Sequence, residues 1–216
     1  FLEKIIEVIS LLGVKNIYPK RMEADDLMAW LAHNLDGESV VVTTDKDLLQ
    51  IINNKITVFN PIKKIEVTLK NFEDYTGVKR EYYMSYRCVT GDKSDNIHGF
   101  PRFGLKRFLK LEHKIVTINV ALLQGDAVTE EQFEIYKRNW GLMNLEVGYN
   151  YYKDEIPAYK RQLEELNSHK SNFTKFLEKA KEYDMWTVLK NNTSWRESFN
   201  TNENVLNIIN KAIHHA

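Results

Sequence analysis

The sequence predicts an α/β protein, and three observations support this fold class. Up to residue 90, short apolar runs that are typical of buried strands alternate with segments whose apolar residues recur at the helical period. From residue 91 onward the strand-like runs disappear, and the remaining segments have the pattern of helices. The composition, 43% hydrophobic and 28% charged, is ordinary for a globular protein, and no run of 18 apolar residues predicts a membrane span. We therefore expect an α/β domain over residues 1–95 and a helical region over residues 96–216.

The individual elements can be placed in order along the chain. Helical periodicity predicts helices over 2–12 and 24–35, which Gly13 and Gly37 end. The uniformly apolar run at 39–45 is typical of a buried parallel strand. The other expected elements are a strand or connector at 14–19, a short helix at 46–53, strands at 55–60 and 64–69, and helices at 70–77 and 80–91. Further helices are expected at 104–112, 115–124, 129–145, 157–191 and 203–215, and the most loop-like stretch is 190–204.

Cysteine content and charge limit the class of protein further. Cys88 is the single cysteine, so no internal disulfide can form, which fits a reducing cytoplasm. The first residues have neither the charged start nor the cleavage site of a signal peptide. The formal net charge is zero, which alone argues neither for nor against nucleic acid, because the distribution of charge matters more than its sum.

Acidic residues are concentrated at three places where elements begin or end. "EADD" stands at the start of the second helix, "TTDKD" follows the carboxyl end of a buried strand, and "GDKSDN" follows a helix at a turn. In open α/β sheets the carboxyl ends of the strands are where sites form. The seven carboxylates concerned are Glu23, Asp25, Asp26, Asp45, Asp47, Asp92 and Asp95.

Each acidic segment taken alone also has a purely structural interpretation. Acids in the first turn of a helix stabilise its dipole, "TDKD" fits a turn with a helix cap, and "GDKSDN" is a good turn sequence. Together, however, seven converging carboxylates repel one another, and only Lys46 and Lys93 stand beside them in the sequence. Carboxylate oxygens are the ligands that Mg²⁺ or Mn²⁺ prefers, and the sequence has no His/Cys set suited to zinc. The pattern therefore predicts two divalent cations, which in such sites support phosphodiester cleavage.

The same segments resemble those of the 5′-3′ exonuclease and flap endonuclease family, which includes the nuclease domain of bacterial DNA polymerase I and phage 5′ nucleases of the RNase H type. The resemblance rests on "EADD", "TTDKDLLQ" and "VTGDKSDNIHGFPRFGLKRF" in this order, and it covers about residues 1–112. It implies a PIN-like parallel-sheet nuclease core, here its C-terminal part, followed by a helical region with a helix–three-turn–helix at 96–112.

The resemblance also implies a role for each acidic residue. Glu23, Asp25 and Asp26 match the family's first acidic cluster, which mainly serves one metal ion, whereas Asp45, Asp47, Asp92 and Asp95 match the ligands of the second ion. Two Mg²⁺ or Mn²⁺ ions are implied as cofactors, and all seven carboxylates are implied to be catalytic.

The segment after the last acids is implied to grip duplex DNA. Its two glycines allow close approach of the backbone, and the N–H groups that open the next helix can face a phosphate. Residues 79–110 carry eight Lys or Arg against three Asp or Glu, so this part of the chain is basic although the total charge is zero. A solvated helical face after a glycine-rich turn is the alternative interpretation. The residues expected to contact DNA are Lys93, Gly99, Arg102, Gly104, Lys106 and Arg107.

The chain departs from the family pattern at two places. His98 stands where the family has Pro, and Arg102 with Phe103 replaces smaller residues, which loosens the expected turn. In addition, the family's early strands, each with an Asp for the first metal ion, and its helical arch have no counterpart before "EADD", and the chain does not start with Met. We therefore expect a fragment or processed chain whose first metal site lacks part of its ligands.

The sequence thus predicts a phage-type, divalent-metal-dependent 5′ nuclease that cuts 5′ flaps, or 5′ ends of duplex DNA or RNA/DNA primers, during replication in the host cytoplasm. Its expected partners are such nucleic acids, with a single-stranded-DNA-binding protein or sliding clamp as further candidates and no membrane. Two alternatives stay open: a non-catalytic, structure-specific DNA-binding module with an incomplete metal site, and a PIN-type ribonuclease. The "GDKSDN" and "GFPRFG" segments argue against the ribonuclease, because PIN domains generally lack that DNA-gripping turn. The sequence encoded upstream of Phe1 discriminates between the enzyme and the binding module.

Overall fold

The computed structural model of the chain describes residues 2–110, 129–166 and 171–199. The helices within these ranges are α1 Leu2–Ser10, α2 Ala24–Asn34, α3 Phe72–Thr76, α4 Tyr83–Thr90, α5 Leu105–Leu109, α6 Glu130–Met143, α7 Leu145–Tyr151, α8 Ile156–Leu166, α9 Phe173–Glu182, α10 Trp186–Lys190 and α11 Asn192–Phe199. The strands are β1 Ser39–Val42, β2 Ile56–Asn60, β3 Ile65–Val67, β4 Gly91–Asp92 and β5 Ile97–His98. Single turns of 3₁₀ helix lie at Asp47–Ile51, Arg80–Tyr82 and Lys153–Glu155. The predicted α/β class is confirmed.

The main sheet has three strands in the order β1-β2-β3. β1 pairs with β2 in parallel, with Val41 opposite Val58, and β2 pairs with β3 in antiparallel fashion, with Val58 opposite Val67. The connection from β1 to β2 includes a 3₁₀ turn, Asp47–Ile51, and no α-helix. The three predicted strands are confirmed, but the sheet is mixed rather than wholly parallel.

Two compact units make up the chain, and their boundaries differ from the predicted division near residue 95. Arg21–Lys153 form one unit, which contains the sheet, and residues 2–20 form the other with the described residues from 154 to 199. Residues 91–110 belong to the sheet-containing unit, where Phe100 and Phe108 pack into the same core as Cys88 and Tyr136. The separation into a nuclease core (1–95) and a DNA-binding region (96–216) is a functional assignment and stays a prediction.

The other unit has an all-helical core within its described residues. Val8 and Leu12 of the first segment pack with Phe176 and Val188, and Trp195 and Phe199 pack against this cluster. Asn172 donates its backbone N–H to the carbonyl of Leu11 at 2.7 Å, which links the two segments of the unit.

Several predicted elements differ in the structure. The connector alternative holds for residues 14–19, which contain no strand, but strands do not disappear after residue 91, since β4 and β5 form a short antiparallel pair. The long helical stretch 157–191 is divided into α8, α9 and α10 over its described residues, and the predicted loop 190–204 contains α11. The predicted helices at 115–124 and 203–215 lie outside the described residues. Among the helices that the structure describes, none is both long and apolar enough to cross a membrane.

Candidate metal centre and nucleic-acid interface

A cleft of about 620 Å³ in the sheet-containing unit gathers most of the predicted acidic residues. Six of the seven carboxylates line it: Glu23, Asp25, Asp26, Asp45, Asp47 and Asp95. The seventh, Asp92, lines a smaller pocket of about 300 Å³ that shares Asp45 and Asp95 with the cleft. The three acidic segments, whose carboxylates are up to 72 positions apart in sequence (Glu23 to Asp95), therefore converge on one side of the unit, as the sequence predicts.

The first acidic group consists of Glu23, Asp25 and Asp26 at the start of α2. Each contributes a carboxylate oxygen, and these oxygens lie within 4.8 Å of one another. Glu23 is the residue before the first turn, but its side chain makes no capping hydrogen bond to the helix. One oxygen of Asp25 accepts the backbone N–H of Asp26 at 2.9 Å. The carboxylate of Glu23 is thus not used to cap α2.

Asp26 is the buried member of the first acidic group, with 7% of its surface exposed. α7 packs against α2 at this point, and a Cβ atom added to Gly148 would overlap both carboxylate oxygens of Asp26. Burial, followed by the negative charges of Asp25 and Glu23, raises the pKa of Asp26 to about 6. A cation bound in this group would favour the ionised form of Asp26.

The second acidic group consists of Asp47, Asp92 and Asp95, whose closest carboxylate oxygens also lie within 4.8 Å of one another. The β4–β5 pair closes the loop that carries two of them, and Ser94 donates its backbone N–H to Asp92 at 2.7 Å. Gly91 has φ +70° and lies so close to Gly99 that a side chain on either residue would collide with the opposite backbone. Gly99 therefore has a structural role in this hairpin, whatever its role toward DNA.

Arg87 of α4 lies between two members of the second acidic group. Its Nη2 atom donates to Asp47 and, at 2.5 Å, to Asp92, and only 7% of the residue is exposed. Its Nε atom is buried and has no hydrogen-bond partner among the described residues. Lys46 and Lys93 are therefore not the only basic residues near the acids in space, because Arg87 from a separate helix neutralises part of the second group.

The pKa values of the second group follow from burial and from this guanidinium. Burial raises the pKa of Asp47 to about 6, because the attraction of Arg87 offsets the loss of solvation only in part. Burial also acts to raise the pKa of Asp92, but hydrogen bonds from Ser94 and Arg87 outweigh it and lower the value to about 2. The two carboxylates raise the pKa of Arg87 further above its usual range, despite its burial, so it remains charged.

Asp45 lies at the boundary of the cleft and the smaller pocket but belongs to neither group of three. One of its oxygens accepts the backbone N–H of Asp47 at 2.9 Å, at the start of the 3₁₀ turn. The interpretation of "TDKD" as a turn is thus correct for the local structure, but the predicted helix cap is not formed, because Lys46 holds the N-cap position without a side-chain hydrogen bond. Asp45 keeps its second oxygen for another partner.

The two acidic groups fit divalent cations by chemistry and by spacing. All their donors are carboxylate oxygens, the ligand type of Mg²⁺ and Mn²⁺. With Mg–O distances of about 2.0–2.1 Å, two ligands of one ion lie at most about 4.2 Å apart, so a spacing within 4.8 Å requires only small side-chain adjustments. The residues present could therefore hold a cation at each group.

Apolar residues from the end of α6 and from α7 form a further part of the cleft wall. Its largest side chains include Leu142, Val147, Tyr151 and Tyr152. Gln50 fixes this wall to the loop after β1, because it donates to the carbonyl of Met143 at 2.9 Å and accepts the N–H of Leu145 at 3.1 Å. The sequence analysis did not identify this wall, since its residues have no motif.

The residues expected to contact DNA are mostly exposed, near the second acidic group in the chain. The side chains of Lys93, Arg102, Lys106 and Arg107 are all exposed. Gly104 precedes α5 with an extended backbone, and Arg107 lies over the ring of Phe103 at 5.2 Å. The described part of the predicted helix–three-turn–helix, residues 96–110, thus has the expected turn, short helix and basic surface. Contact with DNA stays a prediction.

Asn139 of α6 is a further residue that the sequence analysis missed. It is fully buried, and its side-chain amide donates to the carbonyls of Cys88 at 2.8 Å and His98 at 3.0 Å. Asn139 thereby connects the end of α4 with β5 and supports the hairpin that carries Asp92. The only signal in the sequence is a polar residue on the otherwise apolar face of a predicted helix.

Comparison with known proteins agrees with this geometry. Residues 2–82 match the family model of the 5′-3′ exonuclease N-terminal, resolvase-like domain. A 5′-3′ exonuclease of Buchnera aphidicola is 28% identical over 120 residues, which cover 54% of this chain and 42% of the relative. The flap endonuclease Xni of Shewanella pealeana is 34% identical over 92 residues, which cover 41% of this chain and 36% of the relative. The chain thus spans less than half the length of these curated relatives.

Among solved structures, a flap endonuclease of bacteriophage T5, crystallised as a pseudo-enzyme–product complex with DNA and metal ions, has a similar fold. Its TM-score is 0.55 at 20% sequence identity, and the match covers 76% of this chain and 62% of the T5 chain. The fold is therefore that of the PIN-like nucleases. Together with the match of residues 2–82, this confirms the resemblance seen in the sequence: residues 2–82 are similar to the N-terminal, resolvase-like domain of 5′-3′ exonucleases.

Proposed function

We propose that the protein is a divalent-metal-dependent 5′ nuclease that hydrolyses phosphodiester bonds at 5′ flaps, or at 5′ ends of duplex DNA or RNA/DNA primers. The observation that carries the proposal is the convergence of two separate groups of three carboxylates on one side of the same unit. Two sites for divalent cations side by side suit phosphodiester cleavage, in which bound cations activate water and stabilise the leaving oxygen. The relatives are 5′-3′ exonucleases and flap endonucleases, which supports the same reaction.

The residues of the chain would divide this work between holding cations and holding the substrate. Glu23, Asp25 and Asp26 would hold one Mg²⁺ or Mn²⁺ ion, and Asp47, Asp92 and Asp95 a second. Asp45, between the cleft and the smaller pocket, would complete either set with its second oxygen. Arg87 would orient Asp47 and Asp92 through its two ion pairs.

Duplex DNA would lie against the basic residues that follow the second acidic group. Exposed Lys93, Arg102, Lys106 and Arg107 can contact phosphates in a sequence-independent manner. The T5 flap endonuclease, which shares the fold, was crystallised with DNA and metal ions, and this supports the same class of substrate. A cytoplasmic location and partners such as a single-stranded-DNA-binding protein or a sliding clamp stay proposals of the same kind.

The test is cleavage of an end-labelled 5′-flap duplex in Mg²⁺ or Mn²⁺. We expect Asp25→Asn combined with Asp95→Asn, one exposed or half-buried ligand from each group, to reduce cleavage by more than about 100-fold. Duplex binding should change by only a few-fold, because affinity comes largely from phosphate contacts elsewhere. Asp36→Asn, an exposed acid outside the cleft, is the matched control and should cleave like the wild type.

One observation favours a second candidate function, that of a non-catalytic DNA-binding module. Arg87 already neutralises part of the second acidic group, so this group needs a metal ion less than the first does. If the wild-type chain binds flap duplexes but does not cleave them in either metal, the binding module becomes the better description. Loss of both binding and folding in the Asp25→Asn, Asp95→Asn variant would instead assign these acids a structural role.

A further inference from the structure

Large apolar side chains are exposed inside the acidic cleft. Leu142 is 64% exposed, Val147 41% and Tyr151 77%, and all three line the same cleft as the carboxylates. Single exposed apolar residues are common on protein surfaces, but several together in one cleft indicate a surface that binds another molecule.

The end of this wall is aromatic and carries one positive charge. The rings of Tyr151 and Tyr152 meet edge to face with their centroids 4.9 Å apart, and the guanidinium of Arg21 lies 5.7 Å from the centroid of Tyr152. All three residues line the cleft. We refer to Arg21, Tyr151 and Tyr152 as the aromatic rim.

The aromatic rim is held in place relative to the first acidic group. Tyr151 follows Gly148 by three residues in α7, so both lie on the same face of the helix, and Gly148 lies against the carboxylate of Asp26. Tyr149 is buried on the same helix and contacts His33 of α2, with Tyr149 Oη 3.4 Å from His33 Nδ1. The exposed ring of Tyr151 is therefore positioned one helical turn from the candidate metal ligands.

The two sides of the cleft suit different parts of one nucleotide. The carboxylate side repels a phosphate unless cations are bound, whereas the flat, uncharged ring of Tyr151 offers a stacking surface to any base. Arg21 adds a positive charge for the phosphate that follows the base. A base inside a duplex has both faces stacked on its neighbours, so this surface favours an unpaired base over an internal base pair.

We propose that Tyr151 is the stacking platform for an unpaired base of a single-stranded nucleic-acid segment, next to the metal centre. This subsite rests on the proposed nuclease function and specifies how the site selects a strand end over a continuous duplex. Tyr152 supports the ring of Tyr151 from the side, and Arg21 binds the adjoining phosphate.

The test uses the full chain in Ca²⁺, which binds carboxylate oxygens and so removes their repulsion of the phosphates, and binding is measured before cleavage products appear. The probes are a blunt duplex and the same duplex with a 5′ flap that carries 2-aminopurine at its unpaired nucleotides. We expect Tyr151→Ala to weaken binding of the flap duplex about tenfold and to abolish the quenching of 2-aminopurine fluorescence, whereas binding of the blunt duplex changes less than about twofold. Tyr151→Phe keeps the aromatic face and should behave like the wild type. Tyr18→Ala, at an exposed tyrosine that does not line the cleft, is the matched control.

A second measurement does not depend on how the variants fold. Removing the bases of the flap, so that its unpaired nucleotides are abasic, should weaken wild-type binding to the level of Tyr151→Ala on the intact flap. Wild-type binding that is insensitive to base removal, or a Tyr151→Ala variant that still quenches 2-aminopurine, overturns the proposal. Metal-dependent cleavage of the flap is measured separately. If Tyr151→Ala binds the flap normally and the wild type cleaves it, the stacking subsite is rejected but the nuclease function stands. If flap binding depends on Tyr151 but the wild type does not cleave, the nuclease function is rejected but the stacking subsite stands.

Discussion

The two acidic groups of the cleft have the same number of carboxylates but differ in how their repulsion is balanced. In the second group, the buried Arg87 bridges Asp47 and Asp92. In the first group, no Lys or Arg of the described residues forms an ion pair with Glu23, Asp25 or Asp26. An internal cation thus stabilises one group before any metal binds, while the other depends on solvent or on a bound ion.

This difference assigns different roles to metal ions at the two groups. A metal at the first group would offset the burial and the repulsion that together raise the pKa of Asp26, so it should stabilise the fold strongly. At the second group, Arg87 already neutralises part of the negative charge of the carboxylates, so a metal ion there should add less stability. The second group therefore needs a metal ion less, and the first should gain more stability from one.

The largest expected effect comes from removing the internal cation. Arg87→Met leaves Asp47 and Asp92 without their partner, and breaking a buried ion pair from one side costs about 3–5 kcal/mol. We expect urea unfolding in EDTA to show a loss of this size, with a smaller loss for Arg87→Lys. Mn²⁺ should restore more stability to Arg87→Met than it adds to the wild type, because the second group then resembles the first.

Lys179→Met is the matched control for this prediction. Lys179 also bridges two carboxylates, Glu7 at 3.1 Å and Glu182 at 3.0 Å, but all three side chains are partly exposed to solvent. Its replacement should change the unfolding free energy much less. Equal losses for Arg87→Met and Lys179→Met would show that burial does not distinguish the two bridges.

A steric change at the first group should have the next largest effect. Gly148→Ala places a methyl group where the carboxylate of Asp26 lies, so we expect a loss of about 1–3 kcal/mol from overpacking and a weaker stabilisation by Mn²⁺. Gly141→Ala in α6 is the control, since nothing lies within 4 Å of its added Cβ and the better helix propensity of Ala should stabilise the protein by up to about 1 kcal/mol. Thermal melts of both variants in EDTA and Mn²⁺ measure this contrast. If Gly148→Ala leaves the melting temperature unchanged, α7 has shifted to make room for the methyl group without displacing Asp26.

The convergence of the acids could be predicted from the sequence, because each acidic segment stands at the end of a recognisable element. Asp45 and Asp47 follow an apolar strand, and the carboxyl end of such a strand is a usual place for a site. Arg87 could not be assigned in the same way, since its contact with Asp47 joins residues 40 positions apart and depends on how α4 packs. Arg87 stands only five residues before Asp92, and this short separation could have indicated an ion pair. We considered only basic residues directly beside the acids in the sequence, so this signal was missed.

The helix α11 shows the same limit for secondary structure. Its polar composition predicts a loop, but Trp195 and Phe199 pack against the core that contains Phe176, and this tertiary contact outweighs weak local propensity. Gly148 likewise has no local signal, because a glycine within a helix is explained only by the neighbour that needs the space. Sequence patterns thus predicted which elements carry the site, whereas packing between elements determined its internal partners.

A charge change at the first group should separate metal binding from helix capping. With Glu23→Gln and Asp25→Asn, a metal-binding role predicts equal or higher stability in EDTA, because repulsion is relieved, and loss of part of the gain in Mn²⁺. That gain is about 2.7 kcal/mol at a hundredfold excess of metal over its dissociation constant. A dipole role predicts instead a loss of about 0.3–1 kcal/mol in both buffers. Melting curves of both proteins in EDTA and Mn²⁺ decide between the two roles.

The smallest expected effect is the pH dependence of stability that Asp26 contributes. The pKa values of the two groups move in both directions, because the pKa of Asp92 in the second group is lowered whereas that of Asp26 in the first group is raised. The folded pKa of Asp26 is about 6, above the ordinary value of 3.8, so its contribution to stability is fully present below 3.8 and is lost as pH rises through 6. In EDTA, we expect this residue to reduce the unfolding free energy by about 1 kcal/mol between pH 5 and pH 7.

The comparison that isolates Asp26 is wild type against Asp26→Asn. It is needed because the pKa of Asp47 is also raised to about 6, so Asp47 adds a loss of stability in the same direction. Urea unfolding at pH 5, 6 and 7 should show a shallower decline in the variant. In Mn²⁺ the wild-type trend should reverse, because a carboxylate must lose its proton before it can bind the ion. Parallel pH profiles of the two proteins in EDTA would show that Asp26 titrates normally and that the first group tolerates its charges without a metal.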